Sequence, residues 1–184
     1  MRAPRFLGPA LLGVALVALA GALRRQTDAG AHVLERTQLI PAPLAETFRF
    51  FSDPSKIHDV TPPWAAFEIV RSEPLPMRAG TVNDYRIRWL GVPLTWRGLI
   101  IEYEQDRRFV DLLTGGPYRY WRHEHEFEAR DGGTLMRDRV EYTLPFGALG
   151  RLVHRLVVAR QLRQIFDERA AAIERLFTEG AADG

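Results

Sequence analysis

The sequence predicts an α+β domain in which a curved antiparallel sheet wraps around one long C-terminal helix, with an N-terminal transmembrane helix ahead of it. Three observations carry this. One long amphipathic helix closes the chain, after a run of five or six strands joined by hairpin-length connections that only antiparallel pairing can use. Residues 119–130 alternate strictly with period two, which is the signature of a half-buried strand. Residues 6–23 carry no charge and lie between Arg2 and Arg5 on one side and Arg24 and Arg25 on the other.

That uncharged run spans about 27 Å as a helix, close to the ~30 Å hydrocarbon core of a bilayer. Residues 1–25 are therefore expected to form a single-pass anchor, and 26–31 a short polar linker. The domain is expected over 32–178, followed by a tail at 179–184. A cleaved signal peptide is the competing reading, with Ala18-Leu19-Ala20 as the small-residue cleavage site. A buried core helix is the third. The expected location is the membrane, but the arginine pairs balance, so the side on which the domain faces is not fixed.

Within the domain the elements follow in order. Residues 32–40 alternate as a strand, which Pro41 and Pro43 end. A helix follows to about Phe51, with Leu44, Phe48 and Phe51 as its apolar stripe. Ser52-Asp53-Pro54 stops it and caps a second short helix near 55–60, closed by Pro62-Pro63. Strands are expected at 66–73, 81–90, 93–104 and 107–114, with Gly91 and Gly115-Gly116-Pro117 as turns. The final helix should run over about 148–177. Its stripe is read as Leu149, Leu152, Val153, Leu156, Leu162, Ile165, Phe166, Ile173, Leu176 and Phe177. No other element is long enough to cover the sheet, so a cavity is expected between the sheet and this helix, closed at one end by the short helices.

The segment 119–144 carries the chemistry. Arg122, Glu124, Glu126, Glu128 and Arg130 make one face fully charged and hence solvated, so Trp121, His123, His125, Phe127 and Ala129 face inward. Asp131-Gly132 gives a type I′ hairpin signal. With Arg130 and Gly133 flanking the turn, paired residue numbers sum to 263. His125 then lies opposite Asp138, Phe127 opposite Met136, and His123 opposite Val140. Two histidines and an aspartate among apolar residues suit a pocket wall better than a dry core.

Composition narrows the field. A hydrophobic content of 46% fits a globular domain able to bury its own core. The net charge is +2 and basic and acidic residues are interleaved, so nucleic acid is not an expected partner. Without cysteine there is neither disulfide nor thiolate chemistry. No nucleophile elbow stands around Ser52, Ser55 or Ser72, and Gly115-Gly116 leads into a strand rather than a phosphate-cradling helix. A two-histidine, one-carboxylate metal site through Asp138 is conceivable. No Glu or third His stands at an adjacent inward position, so neither metal nor cofactor is expected.

Tyr85 and Trp89 share parity on one strand, Trp96 lies on the next, and Trp64 follows Pro63 near the cavity mouth. They either fill the core or line a cavity for a flat or aliphatic ligand. Arg97 and Glu102 should face opposite sides, and the parity of the strand at 109–113 is open.

Phe109-Val110-Asp111, Gly116-Pro117-Tyr118 and Trp121-x-His123-x-His125-x-Phe127 resemble the signature of a bacterial ligand-binding subgroup of the START-like superfamily. Gly132-Gly133-Thr134, Asp138, Tyr142 and Pro145-Phe146-Gly147 continue that pattern in register. This superfamily is also called the polyketide cyclase/dehydrase and lipid transport (SRPBCC) group, and the resemblance covers about 33–177. It implies a helix-grip fold and leaves function wide, since lipid carriers, hormone receptors, allergens and a few cyclases share the scaffold.

The expected function is a membrane-tethered domain that binds or transfers a hydrophobic small molecule such as a lipid, quinone or polyketide. Its ligand contacts are expected at Tyr85, Trp89, Trp96, Asp111, Trp121, His123, His125, Phe127, Asp138 and Tyr142. Two alternatives stand beside it. One is a cyclase or dehydratase using His123, His125 and Asp138 as acid/base groups. The other is a regulatory, cell-division-associated protein with a vestigial pocket.

Overall fold

Charged residues at every second position of the central strands hold one sheet face in water and turn the other toward the C-terminal helix. The computed structural model describes residues 31–73, 75–89 and 91–182. Chain order runs β1 (His32–Ile40), α1 (Leu44–Phe51), two 3-10 turns (Pro54–Val60 and Pro63–Ala65), β2 (Glu68–Ser72), β3 (Val82–Trp89), β4 (Val92–Glu104), β5 (Arg108–Gly115), β6 (Tyr120–Arg130) and β7 (Gly133–Thr143). The last stretch is helical: α2 (Gly147–Val153), a π-helical turn (His154–Val158) and α3 (Ala159–Ala182). The expected anchor at 6–23 lies outside the described residues. Among the described residues no helix is long and apolar enough to cross a membrane.

All seven strands join one antiparallel sheet in the order β1-β7-β6-β5-β4-β3-β2. The β6–β7 register is the expected one, with Arg130 opposite Gly133, His125 opposite Asp138 and His123 opposite Val140. The turn differs. Gly132 has φ 84° while Asp131 is not left-handed, so the loop has the sense of type II rather than type I′. Gly133, at φ 146°, lies against the end of β1, where an added Cβ would meet the Ile40 carbonyl oxygen at 2.0 Å. Only glycine lets these backbones approach so closely.

Bulges bend the sheet. In β4 the register against β5 shifts between Arg97 and Gly98 and again between Ile100 and Glu102. The second shift overturns the expectation that Arg97 and Glu102 face opposite sides. Trp96 and Ile100 are buried, whereas Arg97 pairs with Asp84 and Glu102 with Arg108 on the charged face. An extra residue resets the alternation, and composition gives no warning of it.

The C-terminal helix fills the concave face with Val158, Leu162, Phe166, Ile173 and Phe177, all buried. Leu149, Leu152, Leu156 and Leu176, expected on the same stripe, are exposed. The π turn explains the first three. It widens the helix locally, so the phase of α2 does not carry into α3. The helix also continues past Phe177 to Ala182. Polar links tie α3 to β1, where Arg36 donates to Asp167 at 2.8 Å and Gln38 donates to the Ala170 carbonyl at 2.9 Å.

The buried side chains form two clusters. Ile40, Phe48, Phe109, Phe127, Met136, Ile173 and Phe177 pack beneath α1. Tyr85, Trp96, Trp121, Val140, Tyr142, Val158, Leu162 and Phe166 pack toward the other end. On β6 the order Trp121, His123, His125, Phe127 steps from one cluster to the other. The two histidines therefore stand at the seam.

Candidate functional site

A cavity of about 490 Å³ opens between the sheet and the C-terminal helix. That is within the ~300–1,000 Å³ range of small-molecule sites. Its wall is largely apolar: Phe67, Tyr85, Ile87, Leu94, Ile100, Phe109, Tyr118, Leu162 and Phe166 contribute, and all four tryptophans of the chain, Trp64, Trp89, Trp96 and Trp121, line it. Trp96 and Trp121 meet edge to face, with centroids 5.0 Å apart, and Tyr118 lies 4.8 Å from Trp121. Trp64 donates its indole N–H to Glu168, and Trp89 to Gln161, so both rims are latched to α3. Burial pushes the Tyr85 and Tyr118 phenols up and keeps them neutral.

One wall is polar. Asp111 on β5, His123 and His125 on β6, and Asp138 on β7 meet there because Asp111 is the register partner of His123 and His125 that of Asp138. Asp138 Oδ1 accepts a hydrogen bond from His123 Nε2 at 3.1 Å and lies 2.6 Å from His125 Nδ1, a close ionic contact off hydrogen-bond alignment. Across the rings, Asp111 Oδ2 lies 3.6 Å from His123 Nδ1 and 3.5 Å from His125 Nε2. Each imidazole is therefore held between two carboxylates. The ring of His125 also stacks on Phe109 at 4.3 Å, and His123 meets the edge of Phe166 at 5.6 Å.

The cluster divides its charge. Burial pushes His125 down, but the charge of Asp138 and the neighbouring Asp111 carboxylate outweigh it, so its pKa rises above the usual histidine value. His123 goes the other way, because burial and the charge of His125 together outweigh the aspartates. For Asp138 burial raises the pKa, and the charges of both histidines with the hydrogen bond of His123 overcome this, leaving it well below the usual carboxylate range. Asp138 is thus ionised and can only accept.

Of the ten expected ligand contacts, Tyr85, Trp89, Trp96, Asp111, Trp121, His123 and His125 line the cavity. Phe127, Asp138 and Tyr142 do not. Phe127 packs against Phe48 at 5.3 Å in the cluster under α1. Asp138 sits behind the histidines, and the Tyr142 hydroxyl is turned to His154 Nε2 at 2.9 Å. Inward parity is necessary for lining a cavity but not sufficient, because each of these three is screened by its neighbours. Arg169 is a cavity residue that the sequence reading misses. Its guanidinium lies 5.8 Å over the Phe51 ring, and its buried Nε has no hydrogen-bond partner. Its place three residues after Phe166 and four before Ile173 on the buried stripe is the available signal. Trp121 Nε1 is likewise a buried donor without a partner.

A sheet folded around a helix, with an aromatic cavity between them, defines the class of helix-grip ligand-cavity domains. The chain belongs to the polyketide cyclase/dehydrase and lipid transport family, whose pattern it matches over residues 40–168. No curated protein sequence matches it significantly. Similar solved structures include TTHA0849 from Thermus thermophilus, at 17% identity and TM-score 0.65, covering 81% of this chain and 99% of that one. Ms6760 from Mycobacterium smegmatis is 16% identical with TM-score 0.58, covering 83% of this chain and 98% of that one. The di-domain ARO/CYC StfQ from the steffimycin biosynthetic pathway is 14% identical with TM-score 0.67, covering 97% of this chain and 63% of that one. At these identities the likeness is one of fold.

Proposed function

We propose that this domain binds a hydrophobic small molecule carrying at least one oxygen acceptor, of the lipid, quinone or polyketide kind, and that residues 6–23 tether it to a membrane. The observation that carries the reading is the cavity of about 490 Å³ with an aromatic wall and one polar corner. Rings supply contact area at little entropic cost, while the unpartnered N–H groups of Trp121 and Arg169 call for an acceptor on the ligand. A cavity of this size weighs against a vestigial pocket. Membership of a lipid transport and polyketide cyclase/dehydrase family agrees with an apolar ligand.

A rim feature favours the tether. Phe146 is 80% exposed and Leu149 61%, both bordering the cavity, and Arg151 and Arg155 stand exposed beside them. An apolar edge flanked by arginines suits the boundary of an anionic bilayer, from which such a ligand would enter. Arginine in place of Val14 adds about 2.5–3.5 kcal/mol at the centre of an inserted helix. That substitution is expected to move the protein from the membrane to the soluble fraction. A wild-type protein released by carbonate washing would contradict the anchor.

Organic extracts of the natively purified protein, analysed by mass spectrometry, test the binding reading. An apolar compound recovered at close to one equivalent per chain is expected, and wild-type protein that is empty under native purification would contradict it. The His125–Asp138 contact supports a second reading, a cyclase or dehydratase in which this pair moves a proton. Under it, His125→Ala lowers turnover of the recovered compound by about 10²–10⁴-fold while binding persists. Under the carrier reading only affinity or selectivity changes.

A further inference from the structure

We propose that Asp111, His123 and His125 form a binding site for a divalent first-row transition metal of the zinc type, with an open coordination position facing the cavity. This goes beyond the ligand-binding reading and does not depend on it. The three residues offer one ligand atom each, all within 4.8 Å of one another.

The geometry distinguishes a metal site from a hydrogen-bond network. Asp111 Oδ2 stands 3.6 Å from His123 Nδ1 and 3.5 Å from His125 Nε2. Both separations exceed the 2.7–3.2 Å of an N–H···O bond. Ligand bonds of about 2.0–2.2 Å around a tetrahedral ion put neighbouring donor atoms about 3.3–3.6 Å apart. Both carboxylate–imidazole spacings match that edge, and all three ligand atoms lie within 4.8 Å of one another.

The opposite side of the cluster supports the same assignment. Asp138 occupies the far nitrogen of each ring, His123 Nε2 and His125 Nδ1, through a single oxygen. The hydrogen bond from His123 Nε2 to Asp138 leaves His123 Nδ1 turned to Asp111, and His125 turns its Nε2 to the same carboxylate. A carboxylate behind a ligating histidine is the usual way in which ring orientation and tautomer are fixed, and here one carboxylate serves two rings. Metal entry sends any proton held between His125 and Asp111 to solvent. The donor set of two imidazoles and a carboxylate suits zinc, cobalt, iron or nickel better than magnesium or calcium. Because Asp111, His123 and His125 all line the cavity while Asp138 does not, the remaining coordination position faces the cavity. Water or an oxygen of a cavity ligand can fill it.

Cobalt(II), a spectroscopic stand-in for zinc, tests this on the full chain after chelator treatment. One equivalent should bind with the intense visible absorption of a four-coordinate site, and zinc should displace it. Asp111→Asn and His123→Gln should abolish the signal, and Asp138→Asn should weaken binding by about 10–100-fold. His154→Gln removes the other histidine pair, in which His32 and His154 stack at 3.4 Å, and should leave cobalt binding unchanged. Far-UV spectra check that each variant is folded. If His123→Gln does not fold, Asp111→Asn, on a side chain that is 20% exposed, carries the test together with the wild-type spectrum. Wild-type protein that binds no cobalt, binding that survives Asp111→Asn, or binding that is lost in His154→Gln would overturn the proposal. Each of these results is independent of whether a ligand is found in organic extracts.

Discussion

Ending the chain before Leu162 is expected to give a polypeptide that does not fold. The truncation removes Leu162, Phe166, Ile173 and Phe177, each buried against the sheet. Deleting one such side chain costs about 2–5 kcal/mol, so losing four, about 8–20 kcal/mol, matches or exceeds the ~5–15 kcal/mol by which a domain is stable. No other described helix can take their place, because α1 covers only the end of the sheet near Phe48. The check is a far-UV spectrum and a urea titration of the truncated protein. A cooperative transition resembling that of the whole chain would show that the sheet stands without its helix.

Asp138→Ala has the next largest effect, an expected loss of about 3–5 kcal/mol. The carboxylate is 9% exposed and faces two buried histidines, so its removal strands His125 without its nearest counter-charge and His123 without its hydrogen bond. Asp138→Asn should cost less, since the amide keeps an acceptor for His123. Chemical denaturation of both variants in chelator-treated samples measures the difference. Equal stability of Asp138→Ala and wild type would mean that the cluster contributes nothing to the fold.

The hairpin that holds these residues is legible in the sequence because two independent signals agree there. The alternation of residues 119–130 assigns the faces, and Asp131-Gly132 fixes the turn, so the pairing of His125 with Asp138 follows by counting. The turn type differs from the one its residues suggest, yet the register survives because the loop length is right. No such agreement exists for β5. The connection at Gly115-Gly116-Pro117 does not fix a register, so Asp111 enters the sequence reading as an expected cavity contact without a fixed partner. The β5–β6 pairing is what sets it against both histidines. In β4 the first bulge is marked by Gly98, but the second, between Ile100 and Glu102, resets the alternation without a marker residue.

The C-terminal helix shows a subtler failure. Leu149, Leu152 and Leu156 keep helical spacing among themselves, as do Val158, Leu162 and Phe166, but the two series are out of phase by the step from 156 to 158. A continuous α-helix cannot bury both, and the π turn at His154–Val158 lies where the series meet. Reading the stripe as one face merges them. Reading them separately leaves Phe146, Leu149, Leu152 and Leu156 as an exposed apolar edge, which the structure shows.

The central claim is that the cavity takes an apolar ligand, and Gly98 gives the most direct test of it. Gly98 lines the cavity without a left-handed backbone, and a Cβ built there meets nothing closer than 4.0 Å. Gly98→Leu should therefore fold and place its side chain in the ligand's space. All four tryptophans line the same cavity, so energy transfer from tryptophan to the apolar dye 1-anilinonaphthalene-8-sulfonate reports binding there. Wild-type protein should bind one dye per chain saturably and release it to the compound recovered from organic extracts, whereas folded Gly98→Leu should show at least a tenfold loss of affinity, about 1.4 kcal/mol or more. Unchanged dye binding in folded Gly98→Leu, or no saturable binding by the wild type, would contradict the account.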